Sequence, residues 1–240
     1  GTNGIYMYSK GTVLNFTGDI TADNQIGIVA EGGSVTANGT STIIAKGGGI
    51  GVYVQNTAPS FITTSITVQN GIAETAFDPA KYSIGVYYDS VASIGIMPTI
   101  TQIGNYTIGA VLNNSTGNIS STISLGGAGT ANQVGIMAKG SSNLTIGGIS
   151  VAGGDNNIGI YGENSTIKVT GNISVDAPSS LNADDPMKYS SIGVFLDRGT
   201  YTGTTGNLSV GNSSIGIYGK NMTGNISQSG TTMTVGDNGV

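Results

Sequence analysis

A four-residue signature of aliphatic, Gly, aliphatic, then aromatic or aliphatic returns along the whole 240-residue chain, and a short fixed repeat constrains a fold more than local propensity does. Its glycines are Gly4, Gly27, Gly51, Gly85, Gly109, Gly135, Gly159, Gly193, Gly216 and Gly239, at intervals of 23, 24, 34, 24, 26, 24, 34, 23 and 23 residues. The base period is about 24, with two insertions of about ten. The residue after each glycine is Ile5, Ile28, Val52, Val86, Ala110, Ile136, Ile160, Val194, Ile217 or Val240, and in the eight internal copies the residue before it is Ile or Val.

In an extended strand the two neighbours of the glycine point to one face, and the glycine with the residue after next points to the other. The aliphatic pair is therefore expected to face a core. A second strand-like segment, Thr-Gly-Asn-Ile/Leu-Ser in several repeats, covers Thr116 to Ser120, Thr170 to Ser174, Thr205 to Ser209 and Thr223 to Ser227, with the related Thr17 to Thr21. No helical periodicity appears, and one such repeat cannot close a core alone, so copies must stack. This predicts an all-β, right-handed parallel β-helix of about nine coils of about 24 residues with two loop insertions. At the sheet spacing of roughly 4.8 Å such a stack would be about 43 Å long. Residues 1–240 read as a single segment with inserted loops at about 71–83 and 176–191. A propeller blade needs about 40 residues, which the period does not supply. Glycine suits the corners, and Asn24, Asn132 and Asn156, each three residues before a signature glycine, are expected to form asparagine columns at a turn. Both ends of the chain fall inside a repeat, which suggests an excerpt from a longer rod.

Composition narrows the chemistry. Gly, Ser, Thr and Asn fill 118 of the 240 positions and charged residues only 9%, against about 25% in ordinary soluble domains. Histidine, cysteine and tryptophan are absent, which removes Ser-His-Asp and Cys-His catalysis, thiolate zinc sites and the commonest transition-metal ligand. Eight basic residues against thirteen acidic, scattered singly, make nucleic acid an unsuitable partner. No apolar run is long enough for a membrane helix.

Copies such as Asn156-Asn157-Ile158-Gly159-Ile160-Tyr161-Gly162, followed by Thr170-Gly171-Asn172-Ile173-Ser174, resemble the passenger repeats of very large fusobacterial-type autotransporter adhesins, and the resemblance covers the whole chain. It implies export through a carboxy-terminal β-barrel that is not within these residues, and display of a β-helical rod on the outer membrane at the cell surface. The partners it implies are a host cell-surface protein or glycan, or the surface of another bacterium.

The two insertions resemble each other. The first ends Asp78-Pro79-Ala80-Lys81-Tyr82-Ser83 and leads into Ile84-Gly85-Val86-Tyr87-Tyr88-Asp89; the second ends Asp185-Pro186-Met187-Lys188-Tyr189-Ser190 and leads, after Ser191, into Ile192-Gly193-Val194-Phe195-Leu196-Asp197. Loops on a rigid scaffold are where binding usually resides, so Lys81, Tyr82, Tyr87, Tyr88, Lys188, Tyr189 and Phe195 are the candidate ligand contacts. The alternative is a duplicated structural loop. Two residues after the signature glycines stand Tyr6, Val29, Tyr53, Tyr87, Val111, Met137, Tyr161, Phe195 and Tyr218, an outer column that serves either as a flat contact platform or as a self-stacked ladder.

A polysaccharide-cleaving β-helix enzyme is the competing reading, and it needs two carboxylates about 5–9.5 Å apart. Glu74 with Asp78, Asp89 beside Tyr82, and the adjacent Asp184 and Asp185 are the available acids. No cluster of three acids falls on adjacent coils, so no catalytic residue, no metal ligand and no cofactor is assigned. The Asn-x-Ser/Thr triplets at Asn118, Asn172, Asn207 and Asn225 follow from the repeat itself. The sequence therefore supports an adhesin segment that binds through its loops, with an inert stalk as the alternative.

Overall fold

Alternating Ile/Val and Ser/Thr/Asn gives each repeat strands with one apolar side, and stacking equivalent strands buries that side. The computed structural model describes residues 4–38, 40–55, 60–61, 65–73, 77–127, 129–180, 190–222, 224–230 and 232–240. It divides into two compact units, Gly1–Asn118 and Ile119–Val240. Each is a β-solenoid of parallel strands, and among the described residues the 3-10 turn Pro79–Lys81 is the only helical element.

In the first unit the strands Ile5–Lys10, Ile26–Glu31, Ile50–Gln55, Ser83–Asp89 and Thr107–Asn113 lie side by side in chain order. Ile28 pairs with Val52, Val52 with Val86 and Val86 with Ala110, offsets of 24, 34 and 24 residues. A second parallel sheet joins Ile20–Asp23, Thr42–Lys46, Ser65–Val68 and Thr99–Gln102. In the second unit Gln133–Lys139, Ile158–Val169, Ile192–Gly203 and Ile215–Lys220 stack with offsets of 24, 34 and 23. Asn143–Ala152, Ile173–Val175, Leu208–Val210 and Met233–Val235 form the matching second stack.

The core is read directly from the signature. The residues one and three after the glycine point inward: Val52, Val54, Val86, Tyr88, Ala110, Leu112, Ile136, Ala138, Ile160, Val194 and Leu196 are all buried. Each large aliphatic among them contributes on the order of 1.5–3 kcal/mol by leaving water. The residue before the glycine is buried in three copies, Ile84, Ile108 and Val134, and the expectation that it always shares this face is corrected in the other five. Ile26, Ile50, Ile158, Ile192 and Ile215 are only half-buried. The glycine itself faces inward, because a Cβ on Gly51 would lie 3.2 Å from Ile43 Cγ2 and 3.3 Å from Ile66 Cγ2 of the second sheet. The strand bends at this point, and its strict alternation breaks there.

That bend explains why the position is glycine. A Cβ on Gly27, Gly51 or Gly85 would meet the carbonyl oxygen of Gly51, Gly85 or Gly109 at 2.6, 2.7 or 2.5 Å. Gly135, Gly159 and Gly193 repeat the contact with the next glycine at 2.6, 2.5 and 2.6 Å. The signature glycines are absent from the positive-φ set, so space, not backbone freedom, selects them. Positive φ belongs to the corners instead. Asn24, Tyr106, Asn132, Asn156, Ser213 and Asn238 adopt it before the signature strand at φ 52–56°, Ser90, Asn114 and Asn221 just after it, and Asn164 and Arg198 at the matching point within the longer strands Ile158–Val169 and Ile192–Gly203, at φ 47–57°. Asn24, Asn132 and Asn156, expected at a turn, stand at the first of these two corners, which Tyr106 and Ser213 occupy in other coils, so the position is a mixed one and not an asparagine column.

The outermost copies pair differently from the sequence spacing. Ile5 lies beside Ile26 and Tyr8 beside Val29, so Tyr8, not Tyr6, occupies the aromatic column. This register sets Lys10 against Glu31, with Nζ and Oε2 3.1 Å apart. At the other end Val240 donates from its N–H to the Ser214 carbonyl and accepts from the Gly216 N–H, which aligns Val240 with Ile215 and not Ile217. Both slips are of two residues, so Ile5 takes the position before the glycine instead of the one after it, and it is 52% exposed.

Candidate functional site

The first insertion leaves the solenoid after Gly71 and returns at Ser83. Gly71 and Ser83 donate to the carbonyls of Asn105 and Tyr106, consecutive residues of the next coil. Within the loop, the Ile72 N–H donates to the Lys81 carbonyl at 2.8 Å. Asp78 caps the 3-10 turn by accepting from the Ala80 N–H at 3.0 Å, with Pro79 in the first turn where its missing N–H costs nothing. Tyr82 is 4% exposed. Its ring stands edge-on to Phe77 (5.2 Å between centroids) and to Tyr106 (5.8 Å). Ser83 Oγ accepts from the Gly48 N–H at 3.1 Å and donates to the Asn70 carbonyl at 3.2 Å. Four of the residue types shared with the second insertion thus have a structural task in the first: the Asp as cap, the Pro as turn former, the Tyr as wedge and the Ser as buried bridge.

The candidate contacts fall into three groups. Tyr82 and Tyr88 are corrected as surface contacts. Tyr82 is wedged between two rings, and Tyr88, 0% exposed, stands three after Gly85 on the core face. The Tyr88 hydroxyl is the buried polar atom left without a hydrogen-bond partner among the described residues. Lys81, Tyr87 and Phe195 keep part of their surface. Lys188 and Tyr189 lie outside the described residues, as do Glu74, Asp184 and Asp185.

The outer column is a self-stacked ladder. Tyr53 and Tyr87 stack at 5.3 Å and 25°. In the second unit Tyr161, Phe195 and Tyr218 stack at 5.1 Å and 8°, then 5.3 Å and 23°. The stacked faces of these pairs are turned to one another, and the smaller Val29 and Val111 in the first unit and Met137 in the second are buried at the equivalent position. Beside it runs a polar column. Asp89 accepts from the Tyr53 hydroxyl at 2.7 Å and from Asn113 Nδ2 at 2.9 Å. The tyrosine paired with Asp89 is therefore Tyr53, not Tyr82. Arg198 Nη2 reaches Glu163 at 2.9 Å and Arg198 Nε reaches Asp197 at 3.3 Å. These exposed ion pairs contribute about 0–1 kcal/mol each.

Sequence reading missed a buried polar column two residues before the signature glycine. Ser83, Thr107, Gln133, Asn157, Ser191 and Ser214 are all 0–1% exposed. Gln133 Oε1 accepts from the Gly126 N–H, Asn157 Oδ1 accepts from the Gln133 N–H (2.9 Å each), and Ser191 Oγ accepts from the Asn157 N–H at 3.2 Å. Asn157 Nδ2 donates to the Gly153 carbonyl at 3.2 Å. The signal was present, since every internal copy except that of Gly49 carries Ser, Thr, Gln or Asn there.

Burial raises the affinity of several tyrosines for their protons. Desolvation pushes Tyr82 up to about 12 and raises Tyr88 and Tyr201; Tyr53 is raised by desolvation and then by its bond to Asp89. A phenol whose folded pKa exceeds its unfolded value of about 10 stabilises the fold fully below that pH, and the contribution is lost as pH rises through the folded value. With no histidine in the chain, the unfolding midpoint is expected to be level from about pH 6 to 9 and to fall between about pH 10 and 12. Denaturant titrations across that range check it, and a midpoint level up to pH 12 would contradict it.

Among the described residues no group of three acidic side chains is placed to hold a metal ion, and no helix is long and apolar enough to cross a membrane. No protein-family model matches the chain, and no curated protein or solved structure matches it.

Proposed function

We propose that this chain is a scaffold segment of a bacterial cell-surface adhesin, displayed from the outer membrane, that spaces recognition elements along a stack of coils. One observation carries the reading: five aromatic rings of the outer column stack on one another and the loop tyrosine is buried, while Tyr6, Tyr8 and Tyr218 keep exposed surface. Tyr53 with Tyr87, and Tyr161 with Phe195 and Tyr218, stack ring on ring, and Tyr82 is closed between Phe77 and Tyr106. The repeat resembles autotransporter passenger sequence, and that resemblance supplies the cellular setting and the partners, a host surface protein or glycan or another bacterium. A direct-contact reading is favoured by one feature, the exposed Ile72 (40%) and Phe77 (41%) on the inserted loop, since a projecting apolar pair can anchor an interface.

Binding of the purified 240-residue chain to host cells and a glycan array separates the two. The scaffold reading expects no binding above background, by this chain or by a form with both insertions shortened to the 24-residue coil. Binding by the parent chain that disappears in the still-folded shortened form would overturn it in favour of loop recognition.

A further inference from the structure

The insertion touches more than its own coil. Ile72 Cδ1 sits 3.4 Å from the Cβ position of Gly48, in the preceding coil, and the Lys81 carbonyl lies 3.7 Å from the same point. On the other side the Tyr82 ring packs on Tyr106 of the following coil, and Gly71 and Ser83 bond to the backbone there. The Ile72–Lys81 bond and the Asp78 cap tie the described ends of the loop together, so these contacts start from one place. In an ordinary coil a single residue, Gly48, occupies this corner.

We infer that the first insertion is a strap that fastens its coil to the coils on both sides, making this the block of the first unit most resistant to local opening. Solenoid stability is normally a sum of terms between neighbours, and local opening starts where those terms are weakest. The strap strengthens two adjacent terms at once. The inference builds on the structural reading of the loop's inner face and does not depend on whether its outer face binds anything.

Native-state hydrogen exchange tests it in a variant with residues 72–81 removed and Tyr82 replaced by Gly, which restores a 24-residue coil and, apart from Tyr82, leaves the buried side chains of the strands in place. Each ring pair and apolar contact being modest, exchange in strands Ile50–Gln55 and Thr107–Asn113 is expected to accelerate roughly tenfold, with strand Ile5–Lys10 unchanged. Unchanged rates, or acceleration on one side alone, would overturn the strap. Should the deletion fail to fold, Ile72→Ala and Phe77→Ala decide, both being exposed positions outside the core. The first is expected to speed exchange toward Gly48 and the second toward Tyr106, and no change in either overturns the proposal.

Discussion

Gly85→Val is expected to destabilise the first unit by about 3 kcal/mol or more, enough to unfold a marginal solenoid. Its Cβ would stand 2.5 Å from the Gly109 carbonyl oxygen, 3.1 Å from Val68 Cγ2 and 3.2 Å from Ile100 Cγ2. One obstacle is backbone of the next coil and the others are the buried Val68 and the half-buried Ile100 of the second sheet, so the chain cannot yield without breaking the ladder or displacing that sheet. Gly4→Ala is the matched control. Sequence spacing makes Gly4 a signature glycine, but its Cβ would meet only the flexible end of Gln25, at 3.4 Å. That substitution is expected to change stability by no more than about 0.5 kcal/mol. Urea unfolding of both variants checks the pair, and equal effects would refute the steric account.

Asn157→Leu carries the second large effect. The side chain is fully buried and serves the Gln133 N–H and the Gly153 carbonyl. Leucine fills a similar volume and pairs with neither. Each orphaned buried group costs about 1–3 kcal/mol, so a loss of roughly 3 kcal/mol in unfolding free energy is expected. A loss below about 1 kcal/mol would mean that the polar column is ornamental.

The stacking of coils was legible because it rests on one physical rule, that an apolar residue at the same phase of every turn must be buried. Val52, Val86, Ile136, Ile160 and Val194 obey it. What escaped reading depends on geometry that residue type does not encode. The bend at the glycine turns Ile50 and Ile192 partly outward, although alternation places them inside. At the ends, Ile5 and Val240 match the pattern by residue type while their hydrogen bonds follow a register two residues away. Tyr88 is a different case. Its parity with Val86 already placed it inside, and assigning it to a surface gave aromatic character more weight than phase. The polar column at Asn157 and Ser214 was overlooked because polar residues near a corner read as solvent-facing, whereas here they satisfy backbone groups that the turn removes from water.

The corner that accepts the insertion has a consequence for how such chains diversify. Gly71 and Ser83 bond to consecutive carbonyls, those of Asn105 and Tyr106, and the strands on either side keep their pairing across the insertion, Val52 with Val86 and Val86 with Ala110. Loop length is thereby uncoupled from strand pairing at this one point of the circuit. It behaves as a grafting port, where segments of differing length and sequence can be exchanged while every ladder on either side keeps its alignment.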